Sequence, residues 1–484
     1  MEIGIIGLGV AGISILREIE NQTQKGILED LHITVYAEKE SYGTGFPYQP
    51  DDEALLINQY TETMSIDPND PNDFLEWVRE TKNLKQLYNT HLPRKLFGEY
   101  LLDKSRELIE KLNVSVIYEK VLSVKRQEDN QYEIKTKNST NRVDCVHLSV
   151  GHLAYQDPYN LKGEEQYIYN PYPANKKLSL QKGPIAIGIV GTGLTALDTF
   201  LYIRKYYPEA KLSFLSLDGR FSSVRGHEPP IEIQAVCQER VRQLVEENQQ
   251  LTLDQIKKWF EKETKDHDID LTWIWKTLGE GTLAGLQQDL NHLEEIGKFQ
   301  SLIHQMRDFY SLLWNAMPDT EKDRFLNDFG LKWSSFKAPI PQRTASLLLK
   351  SISEGEVELY SGIKSIKKVN EGFEVQINGQ KTRAYDFIIN ATGQQMDLTK
   401  QLYLQQPLIK ELVESGELTP YRYGGVLIDY PSMTAISQKG ERINGLYVYG
   451  QLSSGIQYGN NNVELISKSA QYSVQDMLKN YKES

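Results

Sequence analysis

Three glycines near the start of the chain, Gly7, Gly9 and Gly12 in the stretch EIGIIGLGVAG, have the spacing that suits a bound pyrophosphate. Gly7 would make a tight turn, Gly9 would let backbone approach the phosphates, and Gly12 would let a helix pack close to the preceding strand. The N-terminus of such a helix turns unpaired N–H groups toward the anion. A dinucleotide site of this kind also needs a carboxylate for the ribose hydroxyls at the end of the next strand. Glu38, just past the apolar run His32–Tyr36, is the candidate. It stands one position beyond Ala37, where an acid is expected, and the polar stretch 21–30 accounts for its extra distance from Gly12. In YGTGFPYQ, Gly43 and Gly45 leave room for backbone near a ligand and Tyr48 could cover a ring. Asn58, with Gln59 and Met64, interrupts an apolar stretch and reads either as a ligand wall or as surface loop.

The pattern recurs. GPIAIGIVGTGLTALD carries Gly191, Gly193 and Ala196 as GxGxxA behind a second apolar strand, and Asp218 follows the run Leu212–Leu217 as a second ribose candidate. The repeat extends further. The stretch 113–151 and the stretch 356–393 both read as strand, strand, strand, an aspartate, then an apolar strand ending in glycine: Asp144 with Gly151, Asp386 with Gly393. Two matched copies specify far more than one glycine motif.

The elements that must hold these residues follow from periodicity. The expected architecture is α/β, with two Rossmann-like dinucleotide-binding domains. The first comprises residues 1–170 and 396–484, the second 171–395, with a helical insertion at 231–336 that reads as a packed bundle or, alternatively, as a lid or partner surface. The tail returns to the first domain through the strand GLYVYG, whose end places Gly450 and Gln451 before a helix from Val463 to Lys479. Asp73, ahead of Phe74 and Leu75, reads as a helix cap.

Composition sets limits. A chain of 484 residues with 39% hydrophobic residues supports two or three cored domains. A net charge of -12 argues against an electrostatically driven nucleic-acid binder. No apolar run spans a bilayer, no basic leader precedes the first strand, and two distant cysteines, Cys145 and Cys237, fit a reducing compartment and supply neither a CxxC pair nor a cysteine-rich metal site. The expectation is a cytoplasmic protein with no metal.

The chain resembles the two-dinucleotide-domain flavoproteins, and more closely the FAD/NAD(P)-binding protein family related to flavin-dependent monooxygenases and N-hydroxylases. The motifs that carry the resemblance are GLGVAG at 7–12, YGTGFPY at 42–48, LLIN at 55–58, DPNDF at 70–74, PRKLFGEYL at 93–101, GTGLTALD at 191–198, IINATG at 388–393 and YGQLSSG at 449–455. They span most of the chain apart from the insertion. The resemblance implies FAD in the first domain and NAD(P)H in the second, with hydride passing to the flavin. It implies a monooxygenase acting on a small polar metabolite; a non-catalytic dinucleotide sensor or interaction protein is the alternative. Two departures stand out. Gln451 replaces the aspartate that often follows Gly450, so the flavin contact there would be by backbone. Asp218 suits the ribose diol of NADH, whereas Arg220 and Arg225 suit the 2′-phosphate of NADPH, and the arginines lean the expectation toward NADPH.

Overall fold

The computed structural model describes all residues except 27–29, 89, 235, 237–240, 245–246, 248–249, 380–381, 399–405, 459–461 and 484. Along the chain the strands are β1 (Glu2–Ile6), β2 (His32–Tyr36), β3 (Ser115–Ile117), β4 (Ser123–Arg126), β5 (Tyr132–Lys135), β6 (Thr140–Val143), β7 (Cys145–Leu148), β8 (Tyr167–Ile168), β9 (Ala186–Val190), β10 (Lys211–Leu215), β11 (Val357–Tyr360), β12 (Ile363–Val369), β13 (Gly372–Ile377), β14 (Arg383–Tyr385), β15 (Phe387–Asn390), β16 (Ile428–Asp429), β17 (Thr434–Ile436) and β18 (Arg442–Val448). They divide between two compact units, Met1–Ala154 with Gln394–Ser484, and Tyr155–Gly393.

In the first unit the sheet order is β16-β17-β18-β7-β1-β2-β3, and the five strands from β18 to β3 are parallel. β7 is buried along its whole length and β1 along all but its first residue, as strands covered on both faces of a parallel sheet must be. Helix Val10–Gln24 packs on this sheet through Ile13, Leu16 and Ile19. From β1 the chain moves to β2 and β3 on one side and returns at β7 on the other. The order therefore reverses at β1, and in open α/β sheets ligands bind in the crevice at the carboxyl ends of the strands at such a point.

The second unit repeats this plan in a sheet of order β11-β10-β9-β15-β8, with parallel pairing throughout. Each unit also carries a three-stranded antiparallel meander between the third strand and the returning one, β4–β6 in the first and β12–β14 in the second. The duplication reaches single hydrogen bonds. Asp144, just before β7, accepts from the Glu2 N–H at 2.8 Å and so pins the start of β1. Asp386, just before β15, accepts from the Ala186 N–H at 2.7 Å and pins the start of β9.

Several expectations need correction. Residues 155–170 go with the second unit, because Tyr167 and Ile168 pair with Ile388 and Ile389 of β15; the first unit breaks at Ala154 and resumes at Gln394, not at 170 and 396. Asp73 is the first residue of helix Asp73–Lys82, not its cap: its carboxylate faces the neighbouring helix Arg94–Lys111, where it accepts from the Tyr100 hydroxyl at 2.7 Å and pairs with Lys104 at 2.5 Å. Met64 is a fully buried core residue. Helix Val10–Gln24 extends through the first four residues of the polar stretch 21–30.

Part of the expected insertion, Cys237 included, lies outside the described residues. From Leu253 to Lys337 the chain is helical, with helices such as Leu283–Asn291 and Leu293–Gln305. These two are bonded to segment 223–227 of the same unit: the Val224 N–H donates to Asp289 at 3.0 Å, the Gly226 N–H to Gln300 at 2.8 Å and the His227 N–H to the Leu293 carbonyl at 2.9 Å. Among the described residues no helix is long and apolar enough to cross a membrane.

Candidate functional site

β1 ends at Gly7, whose φ of +101° is open to glycine. Its N–H donates to the Tyr36 carbonyl at 2.8 Å, tying the turn to the end of β2. A Cβ on Gly12 would stand 2.2 Å from the Gly7 carbonyl oxygen, so glycine there lets the first turn of the helix fold onto the preceding turn. Gly9 has a close backbone neighbour of its own. Its Cβ would lie 3.2 Å from Cα of Gly45, so the space beyond it is taken by the Gly43–Gly45 loop. That loop is itself wound through left-handed glycines and rests on Leu102 and Ser105.

At the carboxyl ends of β1, β2, β3 and β7 lies a cavity of ≈ 210 Å³, wholly within the first unit. Gly7 and Leu8 line it from the turn, Ala37 and Glu38 from the end of β2, Glu119–Val121 from the end of β3, and Val150 and His152 from the end of β7. Pro407–Ile409, at the start of helix Pro407–Glu414, supply an apolar wall. Of the two carboxylates, Glu119 is engaged by Thr136 and Asn138, whose hydrogen bonds hold its pKa below the usual carboxylate range. The Glu38 side chain is exposed and makes no hydrogen bond among the described residues, which leaves it free for a ligand. Burial, with the Arg94 charge, pushes the His152 imidazole down to about 4. Gly151, between Val150 and His152, is left-handed and has open space beyond its Cα.

Other expected residues lie outside this lining. Asn58 follows Ile57, whose N–H donates to the Leu92 carbonyl at 2.8 Å and holds the segment beside residues 91–94. Gly450 and Gln451 open the short helical turn Gly450–Ser453 past β18, with open space beyond the left-handed Gly450. The missed contributors, 119–121, His152 and 407–409, come from loops after strands and from a helix remote in sequence. Only His152, next to a glycine already singled out, had a local signal.

In the second unit, Gly191 repeats the turn with φ +112° and an N–H donated to Leu215 at 2.8 Å. Gly193 precedes helix Leu194–Tyr206 and has nothing within 4 Å of its Cβ position, while Ala196 is fully buried. Gly393 is left-handed, and its carbonyl accepts from Gln156. Asp218, exposed past β10, accepts from Ser216 Oγ and from the Arg220 N–H, both at 3.2 Å. The arginines are engaged elsewhere. Arg220 donates to the Glu280 carbonyl at 3.0 Å and approaches its carboxylate at 3.4 Å, and Arg225 is buried against Glu228 at 2.7 Å.

The fold and this cavity define a protein with two Rossmann-type dinucleotide-binding units. Residues 4–153 match the family model described as FAD-NAD(P)-binding. No curated protein matches the chain in sequence. Solved structures match it over nearly its whole length. They include ornithine hydroxylase from Pseudomonas aeruginosa, at 12% identity and a TM-score of 0.62 over 99% of each chain. Another is the ornithine N-hydroxylase of Kutzneria sp. 744 in a form with reduced FAD, NADP+ and L-ornithine, at 11% identity and 0.61 over 100% of this chain and 99% of the other. A bacillithiol disulfide reductase from Staphylococcus aureus aligns at 12% identity and 0.55 over 99% and 98%. At these identities the likeness is one of fold, that of the two-dinucleotide-domain flavoproteins.

Proposed function

We propose that the protein is an FAD-dependent oxidoreductase that takes hydride from NAD(P)H and acts as a monooxygenase on an amine nitrogen of a small polar metabolite. The observation that carries this reading is the cavity in which the Gly7 turn and the unengaged Glu38 carboxylate stand together at the reversal of a parallel sheet. Those residues suit the adenosine and pyrophosphate half of FAD: Glu38 accepts from ribose hydroxyls, the helix that begins at Val10 offers N–H groups to phosphate, and Pro407–Ile409 cover the adenine. Bound there, the flavin supplies the redox chemistry that no protein side chain can. Gly191, Gly193 and Asp218 would hold the nicotinamide dinucleotide. In the balanced reaction one oxygen atom of O2 goes to the amine nitrogen and the other leaves as water, with NAD(P)H and a proton as co-reactants.

The similarity to amine hydroxylases supports the substrate class. Thiol chemistry has weaker support: Cys145 is buried, and burial beside Asp144 pushes its thiol pKa far up. The test is the absorbance spectrum of purified protein before and after addition of FAD. Anaerobic reduction by NADH and by NADPH follows, then oxygen uptake with L-ornithine, L-lysine or cadaverine and assay of hydroxylamine product. Amine-dependent uptake coupled to that product is expected. Failure to bind FAD would leave the non-catalytic alternative, while flavin reduction without product from any amine would keep the oxidoreductase and remove the hydroxylase.

A further inference from the structure

We propose that His152 binds the cofactor as a neutral Nε2–H donor to a pyrophosphate oxygen, with its tautomer set by Gln394; this rests on the dinucleotide reading of the cavity. The hydrogen bonds around Gln394 leave one assignment. The Leu153 N–H, which can only donate, lies 2.9 Å from the Gln394 side-chain oxygen. The amide nitrogen is therefore the end that faces His152 Nδ1, at 2.7 Å. An amide NH2 can only donate as well, so Nδ1 accepts and the ring proton sits on Nε2. That N–H makes no hydrogen bond among the described residues, and the ring lines the cavity with Gly7 and Leu8.

Position and charge agree with a phosphate contact. The ring stands 4.8 Å from that of Phe46, which directly follows Gly45. A Cβ on Gly9 would stand 3.2 Å from Cα of Gly45, so the residue before Phe46 packs against the glycine turn and brings the Phe46–His152 pair beside it. The charged groups around the imidazole are Arg94, whose charge disfavours its protonation, and, on the cavity wall, Glu38, Glu119 and Lys120. A neutral donor keeps its contact unchanged across the ordinary working range of pH.

The experiment titrates full-length protein freed of flavin with ADP, which carries the pyrophosphate, and with adenosine, which does not. His152→Leu should weaken ADP about tenfold, the size expected for a hydrogen bond to a charged group, and leave adenosine unchanged. His152→Gln, which keeps a neutral N–H donor, should hold ADP affinity within about threefold of wild type. The ratio of wild-type to His152→Gln affinity for ADP should be flat across mildly acidic to neutral pH, because the terminal phosphate of ADP titrates alike in both. Gln394→Glu should break that flatness, because a carboxylate on Nδ1 favours the imidazolium and ADP would then bind more tightly as pH falls. Equal losses of ADP and adenosine in His152→Leu, no loss of either, or a ratio of wild-type to His152→Gln affinity that climbs on acidification would overturn the assignment. A wild-type protein that binds neither ADP nor FAD removes the cavity reading itself, and His152 with it.

Discussion

Gly9 and Gly193 occupy corresponding places in the two units, yet their surroundings predict different failures. Gly9→Val would drive a side chain into Gly45 and displace the Gly43–Gly45 loop, so the purified variant should contain less than about a tenth of the wild-type flavin per chain, measured by absorbance. Gly193→Val has open space and should fold normally and stay yellow, with reduction by nicotinamide slowed at least tenfold in stopped flow. If flavin were lost from the second variant and kept in the first, the cofactor assignments of the units would be reversed. Arg225 pairs with Glu228 and Arg220 reaches toward Glu280, while the Asp218 carboxylate stands exposed past β10. Asp218→Ser should improve binding of adenosine 2′,5′-bisphosphate relative to 5′-AMP by about fivefold, since a like charge near a phosphate is repulsive but screened at an exposed site. Calorimetry of both nucleotides checks this, and a ratio that stays constant would place the 2′ contact elsewhere.

Asp289, on helix Leu283–Asn291, accepts from the Gly279 and Val224 N–H groups at 2.8 and 3.0 Å and so ties that helix to segment 223–227. Burial pushes its carboxyl up to about 6. The native state therefore holds this proton more tightly than the unfolded chain, and the group's stabilising contribution is full at low pH and lost as pH rises through the folded value. Between about pH 4 and about pH 6 the stability of wild type relative to Asp289→Asn should fall by roughly 2 kcal/mol, read from urea unfolding at a series of pH values. A difference that is flat or grows with pH would reject the buried ionisable role. Much of this architecture was legible locally. The run 32–36 forms β2 residue for residue because its apolar pattern is complete, and Asp144 and Asp386 marked the duplication because each must satisfy the first N–H of a central strand. The cavity was legible only in Gly7 and Glu38. Its other walls are set by where distant loops land, and the contacts of Gly9 with Gly45 and of Glu228 with His304 depend on tertiary packing that no spacing rule contains.

The first unit is assembled from two stretches of chain separated by all of the second. β7, buried from end to end, pairs with β1 on one side and with β18 on the other. Since β18 begins only at Arg442, a ribosome that has finished β7 must translate the whole second unit and beyond before the partner strand exists, an interval of roughly 15–60 s at the usual ~5–20 residues per second. Throughout it the nascent sheet ends in an unpaired strand edge, the feature most prone to pair with another chain. The second unit, uninterrupted in sequence, can close its own sheet meanwhile. Chains released early, ending at Gly393, should accumulate as aggregates, whereas the stretch 155–393 made alone should remain in solution, and centrifugation of the two translation products distinguishes them. The interruption that builds one sheet from two segments thus makes the yield of this protein a matter of timing, sensitive to translation speed and to chaperones that shield β7 while it waits.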